Sequence, residues 1–184
     1  MTLAFSQALQ SLGFEASYLE IHQQLKVSLS NAVNIFSQKF TLPSNFIDVF
    51  RSFEKEGSVE PFEWVESCLR EVVQKGGKNF IWTHRDALTF EYLKTHQWMH
   101  YFSDVITSDM GFERKPSGDA MRYLLETHRL NKEETLMIGD RELDILGALD
   151  AGVEGVLYSP NTSICSTKAI FIFESYSTLK NSFL

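Results

Sequence analysis

The chain has 184 residues, 43% of them hydrophobic, with 17 Lys and Arg against 24 Asp and Glu, a formal charge of -7. That is enough apolar material for one domain with an insertion and a real core, and it excludes a disordered chain. No block of Lys or Arg stands anywhere, so a nucleic-acid partner is not expected, because phosphate contacts need clustered cations.

No apolar run approaches the roughly 20 residues of a spanning helix, so no membrane segment is expected. The stretch Met1 to Leu12 mixes Ser and Gln into an amphipathic pattern without a basic start, unlike a signal peptide; the cytosol is the expected location. Cys68 and Cys165 are far apart in sequence, and no disulfide is expected.

In chain order, Leu3, Phe5, Ala8, Leu9 and Leu12 form a helical stripe that Gly13 stops. Tyr18, Ile21 and Leu25, then Ala32, Val33, Ile35 and Phe36, give two more helices, and Phe46 to Phe53 a fourth. Glu56 to Pro61 reads as a hinge. Phe62, Trp64, Val65, Cys68, Leu69 and Val72 repeat at helical spacing, which marks Cys68 as a core residue. Asn79 to Trp82 is a short buried strand, Val105 to Ser108 the next, and Ala120 to Leu125 a helix. Thr135 to Ile138 is again strand-like, Gly139 turns the backbone, and Glu142 to Asp150 is the following helix. Gly155 to Tyr158 and Ala169 to Phe173 are further strands, Ser159 to Lys168 is a polar loop, and Ser177 to Phe183 a terminal helix. Alternating strands and helices of this kind predict an α/β fold with a Rossmann-like parallel sheet.

Three places carry chemistry. Asp140 and Asp144 lie four residues apart where a strand turns into a helix, so their carboxylates can address one divalent cation of the Mg²⁺ type, one directly and one through water; the competing reading is an acidic helix start favoured by the helix dipole. Lys115 precedes Pro116, which keeps it out of a helix and on a loop. Thr83 places a hydroxyl at the carboxyl end of a strand, where ligands bind in open α/β sheets. His84 and Arg85 follow it and are candidates for a substrate's distal anion, or equally for helix capping. Arg141 more simply pairs with neighbouring acids, and Asp109 reads as a loop carboxylate. Trp82, Trp98, Phe102 and Phe112 read as core or core-edge aromatics. His22, His96, His100 and His128 show no spacing for a zinc site.

A strand-end Thr83, then Lys115-Pro116, then Gly139-Asp140 with Asp144 four residues on, in this order, resembles the haloacid dehalogenase (HAD) superfamily, in its phosphoglycolate-phosphatase-like capped branch. The resemblance runs through most of the chain and implies a helical cap over residues 1–58 and a HAD-like α/β core over 59–184. It implies that Thr83 and Lys115 act on the phosphoryl group as catalytic residues and that Asp140, supported by Asp144, holds Mg²⁺; beside Thr83, the neighbours His84 and Arg85 remain the candidates for substrate binding. The activity implied is Mg²⁺-dependent hydrolysis of a small phosphorylated metabolite through an aspartyl-phosphate, by a monomer or homodimer.

The family's first motif, Asp-x-Asp-Gly-Thr, has no match here. No Asp precedes Asp48, and Asp48 falls inside a cap helix. In the family that motif ends the central strand, between the strands that end at Thr83 and Asp140, so the sheet of this sequence is expected to be split. A strand of about 5 to 6 residues buries about three or four large side chains at roughly 1.5 to 3 kcal/mol each, with ladder hydrogen bonds at about 1 kcal/mol each. Against a total stability of about 5 to 15 kcal/mol that loss is large. Three accounts stand open: a sequence that starts too late and is inactive without its nucleophile, a non-catalytic binding module, or a decaying gene product. Within enzymes, the alternative is the metal-independent dehalogenase branch.

Overall fold

The computed structural model describes residues 1–56, 60–160 and 168–184. The chain divides into two compact units, Met1–Glu60 and Pro61–Leu184.

The first unit is helical: α1 (Thr2–Ser11), α2 (Tyr18–Val27), α3 (Leu29–Lys39) and α4 (Phe46–Glu56). Its helix starts follow from capping chemistry. The Ser17 hydroxyl accepts the Glu20 N–H at 3.1 Å and that of Ser28 accepts the Asn31 N–H at 2.9 Å, each satisfying a donor that the first helical turn leaves open. Gly13, with φ of 81°, takes the chain out of α1 through a backbone conformation that side chains disfavour. The core of this unit is aromatic. The Phe5 ring lies 5.4, 5.0 and 5.8 Å from those of Phe36, Phe46 and Phe50. Leu3 and Tyr18, expected in the apolar stripes, are instead exposed.

The second unit alternates helix and strand: α5 (Val65–Gln74), β1 (Asn79–Trp82), α6 (Leu88–Thr95), β2 (Phe102–Ile106), α7 (Asp119–His128), β3 (Leu136–Gly139), α8 (Glu142–Asp150), β4 (Glu154–Tyr158), β5 (Phe171–Phe173) and α9 (Tyr176–Phe183). All described strand pairs are parallel, giving an α/β fold. The described strands form two sheets, β1-β2 and β3-β4-β5, rather than one. β4 lies between two neighbours and reads Val156, Leu157, Tyr158, all buried, the continuous apolar run of a strand covered on both faces. Burying Val156 and Leu157 contributes roughly 1.5 to 3 kcal/mol each. Met121 and Leu125 of α7, Met137 of β3 and Ala148 of α8 make one apolar cluster, against which Trp82 of β1 packs.

Several boundaries differ from the sequence reading. β2 begins at Phe102 and ends before Thr107, and α5 begins only at Val65, so Phe62 and Trp64 are not part of its stripe. Both are more than half-way exposed or at half, at 58% and 50%, and Trp64 sits at φ 71° just ahead of the helix. Cys68 is buried, its thiol 3.5 Å from the Tyr176 carbonyl, and burial raises its pKa, which fits a core cysteine and not a reactive one. The expected hinge at 56–61 and the polar loop at 159–168, with Cys165, fall largely on positions outside the described residues. No described helix is long and apolar enough to cross a membrane.

Candidate active site

Thr83, Lys115, Asp140 and Asp144 all line one cavity of about 220 Å³ in the second unit, together with His84 and Arg141. Three loops bring them there. Thr83 follows β1 directly, and its N–H still donates to the Ile106 carbonyl of β2 at 2.9 Å. Its hydroxyl accepts the Arg85 N–H at 3.0 Å, closing the turn at the strand's end. Lys115 lies on the loop between β2 and α7, ahead of a cis peptide bond to Pro116. Asp140 follows β3, and Asp144 lies in the first turn of α8.

Lys115 is the most constrained of these. Its side chain is only 2% exposed, and Nζ donates to the Trp82 carbonyl at 2.8 Å and to Asp144 Oδ1 at 2.7 Å. The ammonium also lies 4.3 Å from the centroid of the Trp82 ring, a favourable cation–π placement. Burial pulls its pKa below the usual lysine range, and the Asp144 carboxylate opposes that shift. Asp144 Oδ2 accepts the Arg141 N–H at 3.1 Å, so the carboxylate ties the lysine loop to the start of α8. Gly139 makes this possible: a Cβ there would run into Asp144 Cβ, and would stand 2.8 Å from Asp144 Cγ.

His84 turns toward the lysine loop, where Nε2 accepts the Lys115 N–H at 3.1 Å. Its pKa is lowered to about 4, first by burial and then by the Lys115, Arg141 and Arg114 cations. Arg85 does not line the cavity; its backbone serves the turn, with the carbonyl accepting from Ser108 N–H at 2.9 Å. One wall of the cavity, which the sequence did not single out, is aromatic: Phe62, Tyr158 and Tyr176, with the Phe62 and Tyr158 rings 4.8 Å apart. Burial raises the Tyr176 pKa, with Tyr158 next in effect. Their spacing along the chain carries no common period, which is why no pattern pointed to them.

The site's hard oxygen donors suit a cation that keeps several waters, but they are few. Asp140 is exposed at the cavity, whereas both Asp144 oxygens are engaged by Lys115 and Arg141. Among the described residues no group of three or more His, Cys, Asp or Glu side chains is placed to share an ion. These residues could supply only part of a Mg²⁺ coordination set: Asp140 is the carboxylate open to the cavity, while Asp144 is held by Lys115 and Arg141.

Residues 2–157 match the haloacid dehalogenase-like hydrolase family, and the chain belongs to that family. Among its relatives is the phosphoglycolate phosphatase of Vibrio parahaemolyticus, 28% identical over 97% of this chain and 86% of that protein. The phosphoglycolate phosphatase of Vibrio cholerae is 38% identical over 62% of this chain, a match that spans about half, 53%, of that protein's length. The crystal structure of a predicted phosphoglycolate phosphatase from Haemophilus somnus superposes with a TM-score of 0.82 over 98% of this chain and 88% of its own, at 21% identity, which speaks for the fold alone.

Proposed function

We propose that this chain carries the site of a Mg²⁺-dependent phosphatase acting on a small phosphorylated metabolite, in the manner of its phosphoglycolate phosphatase relatives. The observation that carries this reading is the buried Lys115 ammonium, held by Asp144, in the same cavity as Thr83 and Asp140. A fixed cation in a site of low water content stabilises the charge of a transferring phosphoryl group far better than one in bulk water. Thr83 is the hydrogen-bonding hydroxyl for that group and Lys115 its counter-charge. Asp140 would hold Mg²⁺, which when bound would add further neutralisation of the phosphoryl charge. His84 is assigned to the lysine loop rather than to substrate, and Arg85 to the turn. The helical unit, residues 1–58 in the sequence reading, serves as the cap that selects substrate. The reading places the protein in the cytosol, as monomer or homodimer.

The acids that line the cavity are Asp140 and Asp144, and both have other tasks in this scheme. Neither is left to be the attacking carboxylate of an aspartyl-phosphate route, so the 184 residues by themselves are not expected to turn over. Aryl phosphate hydrolysis tests this directly. The 184-residue chain should be inert, whereas the chain preceded by an apolar strand ending in Asp-x-Asp-Gly-Thr should hydrolyse the ester with Mg²⁺ and lose that activity on Asp140→Asn. Turnover of the ester without added metal would defeat the reading. An extended chain that binds inorganic phosphate yet never hydrolyses an ester would favour a binding module.

A further inference from the structure

We propose that His84 is a positioning residue for Lys115, its Nε2 lone pair holding the Lys115 backbone N–H and thereby fixing the loop that carries the ammonium against the end of β1. The contact is 3.1 Å long and joins residues 31 apart in sequence. A nitrogen that accepts an N–H carries no proton of its own, so the ring is in its Nδ1–H form and is uncharged. Such a ring cannot be the cationic contact to a substrate anion that its place beside Thr83 suggests. The surroundings favour the uncharged form, since the ring is half-buried and faces the Lys115, Arg141 and Arg114 cations.

The two residues that flank Thr83 both grip the same lysine. Trp82 takes the ammonium through its carbonyl and its ring, and His84 takes the backbone amide. Pro116 has no N–H, so the Lys115 amide is the donor by which the Lys-Pro pair can be anchored. The distance between the Thr83 hydroxyl and the Lys115 ammonium is thus set from both sides by one tripeptide. Only the task given to Lys115 rests on the proposed phosphatase reading; the contact itself is open to test without turnover.

The test uses the 184-residue chain labelled with ¹⁵N at lysine and histidine. Long-range ¹H–¹⁵N spectra read the His84 tautomer in the unaltered protein, and finding the Nε2–H form overturns the proposal whatever any variant does. Amide exchange at Lys115 is then compared with His84→Phe, which keeps a ring but no acceptor, and with His84→Gln, which keeps an acceptor. Loss of one hydrogen bond should speed Lys115 exchange about tenfold in His84→Phe, with the amides of Lys75 and Lys132 unchanged, and His84→Gln should recover to within about threefold of the parent. Equal exchange in parent and Phe variant, a rise shared by all lysines, or a Gln variant as fast as the Phe variant would each sink it. An extended chain that stays inert although Lys115 is protected and the His84 ring is Nδ1–H would defeat the phosphatase reading alone.

Discussion

Lys115 Nζ and Asp144 Oδ1 lie 2.7 Å apart with side chains 2% and 5% exposed, an ion pair closed off from water at the centre of the site. Removing one member of such a pair leaves a buried charge without compensation, which costs about 3 to 5 kcal/mol. Asp144→Ala should therefore destabilise the chain by about that amount in urea unfolding, a large part of a typical domain's stability. Replacing both members, Lys115→Met with Asp144→Leu, should recover most of it, because two apolar groups of similar volume need no compensation. A single variant as stable as the parent would show that the pair is solvated in solution.

Gly139→Ala tests the same arrangement from the strand side. The added methyl meets the Asp144 side chain, with Cγ and Oδ2 both at 2.8 Å, and Asp144 is held by its bonds to Lys115 and Arg141 and has no room to retreat without breaking one. Overpacking of this kind costs about 1 to 3 kcal/mol. The expected outcome is a lowered unfolding midpoint together with faster acylation of the Lys115 amine, read by mass spectrometry; a midpoint equal to the parent's would contradict it.

These two residues show how far the sequence could be read. Gly139 through Asp144 was legible because a strand, a glycine turn and a helix start are local: the Glu142–Asp150 helix and the Asn79–Trp82 strand were placed at their observed bounds. What spacing could not supply was the partner across the fold. Asp144 reads locally as a second metal carboxylate, and only the chain's return 29 residues away brings Lys115 to it. His84 reads as a rim cation until its ring is seen against the Lys115 amide. Phe62 and Trp64 kept helical spacing with Val65 and Cys68 although the helix had not yet begun, since a period says nothing about where capping starts it.

The His84 ring also predicts a pH dependence of stability. Its pKa is about 4 in the folded chain against 6.5 for the unperturbed group, so the unfolded chain takes up the proton first as pH falls. The stabilisation is complete above pH 6.5 and is lost as pH drops through that value toward about 4. Linkage alone gives about 3 kcal/mol, and partial solvation of the ring reduces this to about 1 to 2 kcal/mol. Carboxylates titrate over part of the same range, so the measurement is a difference: between pH 7 and pH 4.5 the parent should lose more urea stability than His84→Gln by about 1 to 2 kcal/mol. Parallel losses in the two proteins would count against a buried, uncharged imidazole.

In the helical unit the same apolar stripe contains residues of opposite energetic weight, and this can be measured within one helix. Phe5 and Leu3 both stand in α1 and both fit the sequence pattern, yet Phe5 is 0% exposed and Leu3 62%. Phe5 touches the rings of Phe36, Phe46 and Phe50 from α3 and α4, so truncating it removes the contact on which those helices converge. Phe5→Ala should cost about 3 to 5 kcal/mol, because the surrounding rings cannot all collapse into the space. Leu3→Ala should change stability by less than about 0.5 kcal/mol, as for other exposed positions. Far-UV circular dichroism in urea reads both, and equal shifts for the two variants would mean that the aromatic cluster does not hold α1, α3 and α4 together.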